Sequence, residues 1–173
     1  IAPGATFESC RAWFLSHDGD RDRRDRAMRR MYRTLAPWCT ENPLLMHLVD
    51  SRDEAVRAAV DQCVAAGFEM VVLSFGSGFD MEDDSEANLR RWRGHAEYAH
   101  ARGVQIGGYS LLSSRRIEPD GDNCIDRATG KPGGQIFGYA PALASEWGRR
   151  YFAKLRRFLT ETGFDLLEHD GSY

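Results

Sequence analysis

The chain has 173 residues, 42% of them hydrophobic and 28% charged, with a formal net charge of −3 at pH 7. That composition belongs to a globular domain with apolar side chains for one sizeable core. The mild negative charge gives no general pull toward nucleic acid or an anionic membrane, and no run of about eighteen apolar residues could span a bilayer, so neither partner is expected.

Residues 1–20 differ in character from the rest of the chain. "TFESCRAWFL" has the composition of a strand and "SHDGD" that of a turn, so this segment is expected to be a linker or the end of a preceding domain. In "RDRRDRAMRRMYRTLAPW", Met28, Met31, Tyr32 and Leu35 recur at i, i+3, i+4 and i+7, which predicts a helix with one apolar stripe. Pro37 should end it. Asp22 and Asp25 interleave with the arginines and no aromatic series accompanies them, so the basic face reads as solvated.

From Glu41 a unit repeats. "NPLLMHLV" predicts a buried strand. Ser51 and Glu54 have capping-box spacing before a helix over 52–66, with Val56, Val60, Cys63 and Val64 on one face and Gly67 closing it. Cys63 is expected to pack as a small hydrophobe. "FEMVVLSF" is the next strand. The loop "GSGFDMEDD" leads to a helix capped at Ser85, with Leu89, Trp92, Ala96 and Ala99 as its stripe and Gly103 at its end. "VQIGGYSLL" is the third strand, followed by a long Gly-, Pro- and Asp-rich loop over 113–143. Ser145 then caps a helix bearing Trp147, Tyr151, Leu155, Phe158 and Leu159. Gly163 ends that helix, and "FDLLEHD" is the fourth strand. The four cysteines, Cys10, Cys39, Cys63 and Cys124, are scattered with no C-x-x-C pair, so neither a zinc site nor a disulfide framework is expected.

Strands alternating with helices predict an α/β fold with a parallel sheet and right-handed crossovers. A (β/α)8 barrel of the TIM type takes about 250 residues. Residues 21–173 therefore read as the first four strands and three helices of such a barrel, with the remaining half expected in the same polypeptide. A doubly wound sheet usually carries a glycine fingerprint between its first strand and helix. Here that junction reads "HLVDSRDE", and "GSGFDMED" contains neither G-x-G-x-x-G nor a P-loop lysine.

Both folds put function at the carboxyl ends of parallel strands. Those ends carry His47 and Asp50, then Ser74 and Phe75 before Asp80, Glu82, Asp83 and Asp84. Next come Tyr109 and Ser110 before Arg115 and Arg116, and finally Glu168, His169 and Asp170. Alternation puts Leu166, Glu168 and Asp170 on one strand face and Leu167 and His169 on the other. Polar groups are costly inside a barrel but expected at its mouth. Two carboxylates on one face repel unless a cation or proton lies between them, and paired acids are what glycoside hydrolysis uses. Plainer roles compete. Asp170-Gly171 suits a strand-to-turn junction, His47 a structural histidine, and the DMEDD acids a solvated helix start. Trp92 and Trp147 read as core; Trp38 and the two arginines stay open between binding and structural roles.

"DQCVAAGFEMVVLSFG", "YAHARGVQIGGYS" and "GFDLLEHDG", in that order and spacing, resemble the first half of the barrel in α-galactosidase-like glycoside hydrolases, clan D, families 27 and 36. "YRTLAPWCTENPLLMHL" and "GYSLLSSRRI" add a likeness to a multidomain bacterial branch acting on polysaccharide. The resemblance spans about residues 25–173. It implies a retaining glycosidase with Asp170 as nucleophile and Glu168, Tyr109, Ser74, His47 and Glu82 lining the sugar site. It implies a carbohydrate substrate, no cofactor, no metal, and an extracellular or periplasmic setting. Ser74 and Phe75 stand where the family has an acid pair, and Glu168 stands where it has a sugar-binding lysine, so the resemblance carries the reaction type further than the sugar. The family's general acid lies on a later strand. Two alternatives are a non-catalytic carbohydrate-binding barrel and a metal-dependent barrel hydrolase using His47, His169 and Asp170. The second lacks the H-x-H pair expected on its first strand.

Overall fold

The computed structural model describes residues 3–6, 12, 14–17, 19–38 and 43–171. The chain divides into two compact units, residues 1–42 and 43–173. The first unit holds α1 (Arg21–Leu35). The Asp20 side chain caps it, accepting the Arg23 N–H at 3.1 Å. It ends one residue before Ala36-Pro37, where proline disfavours helical backbone in its predecessor. The expected apolar stripe is present but uncovered: Tyr32 is 58% exposed and no residue of α1 is buried. The predicted strand "TFESCRAWFL" lies largely outside the described residues, as do Cys10 and Cys39.

The second unit runs β1 (Leu45–Leu48), α2 (Asp53–Ala66), β2 (Met70–Leu73), α3 (Glu86–His100), β3 (Gln105–Leu111), α4 (Glu146–Thr162) and β4 (Leu166–Asp170). The strands form one parallel sheet in the order β1-β2-β3-β4. Each crossover therefore steps the same way, whereas a doubly wound sheet places its first strand inside. In register, His47 pairs with Val72, Val72 with Gly107 and Gly107 with Leu166, while Tyr109 pairs with Glu168 and Leu111 with Asp170. The opposite face, with Met46, Leu48, Val71, Leu73, Ile106 and Leu167, packs against the helices in the core cluster. Leu89, Trp92, Leu155 and Phe158 complete that core, each buried side chain contributing about 1.5–3 kcal/mol. Met70 and Val72 are buried too, but outside that cluster, on the other face.

Two local expectations need correction. Ser51 does not cap α2. Its N–H donates to the Ser77 carbonyl at 3.0 Å, the Asp50 carboxylate takes the Arg52 N–H at 2.9 Å, and the helix begins at Asp53. Val64 is 51% exposed, because at 100° per residue it lies well off the Val56, Val60 and Cys63 face, which Ala59 completes. Ser85 and Ser145 do cap their helices, accepting from Asn88 N–H at 3.3 Å and Gly148 N–H at 3.2 Å.

The β2–α3 loop is pinned by Phe79. Its ring stacks on Phe164 at 5.6 Å and meets Trp92 edge-on at 4.9 Å. The ring lies over Gly108 of β3, where an added Cβ would come within 2.6 Å of Phe79 Cζ. The absent side chain at Gly108 is what admits the ring, and the ring fixes the loop that forms one wall of the site.

Candidate functional site

Asp170 ends β4 with its backbone secured. Its carbonyl accepts N–H donors from Leu112 at 2.9 Å and Ser113 at 3.4 Å, continuing the ladder past the strands. Its side chain shares a face with Tyr109, whose hydroxyl donates to Asp170 Oδ2 at 2.5 Å. Among the described residues Oδ1 accepts no hydrogen bond.

Glu168 lies two residues earlier on the same face. Its Oε2 is buried with no hydrogen-bond partner among the described residues, and it stands 4.0 Å from His47 Nδ1. The same nitrogen is 3.0 Å from Ser74 Oγ. His47 and Glu168 come from β1 and β4, opposite edges of the sheet. At about 4.8 Å per strand those edges lie roughly 14 Å apart along the sheet, and the two side chains close that width over β2 and β3.

Beside this row lies a cleft of about 420 Å³, between the β2–α3 loop and the end of β3. Phe75 forms one wall and meets the Tyr109 ring edge-to-face at 5.7 Å. Glu82 and Arg115 form another, joined by two parallel hydrogen bonds of 2.5 and 3.0 Å. That carboxylate raises Arg115 above its ordinary pKa, and the guanidinium also covers the Trp147 ring at 5.0 Å. Trp147 is half-buried, stacked on Tyr151 and packed against the core cluster, as its helix stripe predicts. Ser114, at the cleft edge, has φ +59°, a left-handed conformation rare outside glycine.

The expected site residues therefore sort into three groups. Asp170 and Tyr109 are hydrogen-bonded. Glu168, His47 and Ser74 converge around one imidazole nitrogen. Glu82 stands across the cleft with its carboxylate engaged by Arg115. Arg116 pairs with Asp120 at 2.8 Å, and Asp50 is held below the usual carboxylate range by Arg52. His169 points to the helix side, 6.1 Å from the Tyr151 ring. Burial lowers its pKa, against the opposing charge of Asp170. It is thus on the other face from His47, and the trio needed for a metal hydrolase is not assembled. No group of three or more His, Cys, Asp or Glu is placed to hold a metal among the described residues. Cys63 packs buried among apolar side chains, and that burial raises its thiol pKa. The pairing of Glu82 with Arg115 spans 33 positions and had no local signal. Phe75 had one, its place directly after a strand-end serine.

No family model matches the chain, and no curated protein matches it.

Proposed function

We propose that this chain forms the first half of a TIM-type (β/α)8 barrel in a retaining glycoside hydrolase acting on α-galactoside-like linkages in oligo- or polysaccharides. The carrying observation is the Tyr109–Asp170 hydrogen bond at the carboxyl rim of β3 and β4, on the face away from the helices. Tyr109 orients the carboxylate through Oδ2 and leaves Oδ1 for attack. In the reaction, Oδ1 bonds to the anomeric carbon as the bond to the leaving oxygen breaks. A second carboxyl group donates a proton to that oxygen. It then takes a proton from water, which attacks the same carbon and frees Asp170, with net retention. That second group is assigned to the remaining half of the barrel in the same polypeptide. No cofactor enters the chemistry.

The approach of His47 and Glu168 to 4.0 Å from opposite sheet edges fits a curling barrel wall, and it supports the half-barrel reading. Glu168, His47 and Ser74, gathered on the Asp170 face, are the groups assigned to line the sugar site beside it. Asp170→Asn in the full-length protein tests the role. Hydrolysis of 4-nitrophenyl α-galactoside should fall by roughly 10⁴-fold or more. Near-normal hydrolysis by the variant would refute the assignment. Saccharide binding with no turnover in the wild type would favour the non-catalytic barrel instead.

A further inference from the structure

The rim carries a residue that this chemistry does not use. Phe75 follows Ser74 at the end of β2 and is 62% exposed. Gly76, at φ +79°, turns the chain directly after it. Its ring is braced edge-to-face against Tyr109, the residue that holds Asp170, with planes at 63°. A large ring braced but left bare at a cleft wall offers its open face to a ligand.

The polar groups around it narrow the ligand. The Ser74 hydroxyl is bound to His47, and the Glu82 carboxylate is closed by Arg115. Beside the Phe75 ring, two of the cleft's polar side chains, Ser74 and Glu82, are thus already engaged. Its volume, about 420 Å³, lies in the range of small-molecule sites. A π-face carries partial negative charge and attracts positively polarised C–H edges. One face of a pyranose ring presents just such hydrogens, with its hydroxyls turned outward.

We infer that Phe75 is a stacking platform for a pyranoside ring, which it recognises by the sugar's apolar C–H face. This rests on reading the Asp170 face as a carbohydrate site.

The test is calorimetric titration of full-length protein carrying Asp170→Asn, so that nothing turns over. The probes are the methyl α-pyranosides of galactose, glucose, mannose and fucose. At least one should bind, and Phe75→Ala should weaken it roughly tenfold. Phe75→Leu, which keeps apolar bulk without a ring, should match Phe75→Ala. Phe75→Trp should retain affinity and so exclude a folding defect at this position. The platform is overturned if no probe binds, or if Phe75→Leu binds as tightly as the parent. Ring-dependent binding in a protein whose wild type hydrolyses no glycoside would uphold the platform and refute the hydrolase. Hydrolysis with a KM unchanged by Phe75→Ala would do the reverse.

Discussion

Tyr109 holds one oxygen of Asp170, and the consequence can be measured at a single atom. Hydrogen bonds to charged groups contribute about 1.5–3 kcal/mol. If the bond orients the attacking carboxylate, Tyr109→Phe should lower kcat by roughly 10- to 100-fold. KM should change little, because the ring and its contact with Phe75 remain. Steady-state kinetics on the aryl glycoside separate the two. A loss confined to KM would instead make Tyr109 a sugar-binding group. At this scale the candidate acids were legible in the sequence, because alternation alone puts Glu168 and Asp170 on one face. Their partners were not. Glu82 meets Arg115, and His47 meets Glu168, only after distant segments fold together.

Between elements, the site depends on how loops are held to strands. Gly108 leaves room for Phe79, and Phe79 anchors the loop that carries Phe75 and Glu82. Gly108→Ala should destabilise the fold by about 1–3 kcal/mol through overpacking, seen as a lower Tm. A change near zero would mean the Phe79 ring shifts freely. A second link joins α2 to α3. The Asp53 carboxylate accepts from His95 Nε2 at 2.9 Å and Arg91 Nε at 2.7 Å, and these bonds hold its pKa below the ordinary value. The unfolded chain therefore binds a proton there at higher pH than the folded one. Asp53 contributes stability above about pH 4, and the contribution is lost as pH falls through its lowered folded value. Denaturation midpoints at pH 5 and pH 3 should differ less in Asp53→Asn than in the parent. The periodic stripes and the serine caps of α3 and α4 were readable locally. The α2 start was not, because the Ser51 N–H goes to Ser77, a residue of another loop.

For the molecule as a whole, alternating strands and glycine-closed helices were enough to predict a parallel α/β sheet, and the sheet has that form. Its sequential order adds what periodicity could not supply, a single direction of winding. The exposed α1 stripe shows the limit of a local reading, since a 3.6-residue period marks a face without saying what covers it. In the proposed reaction Asp170 attacks a sugar. Mass spectrometry of the full-length protein after incubation with a fluorinated α-galactosyl fluoride, which slows breakdown of the glycosyl-enzyme, tests it directly. One covalent fluorohexosyl adduct is expected on the peptide containing Asp170, and none in Asp170→Asn. An adduct on another carboxylate, or none while the wild-type protein hydrolyses α-galactosides, would contradict it.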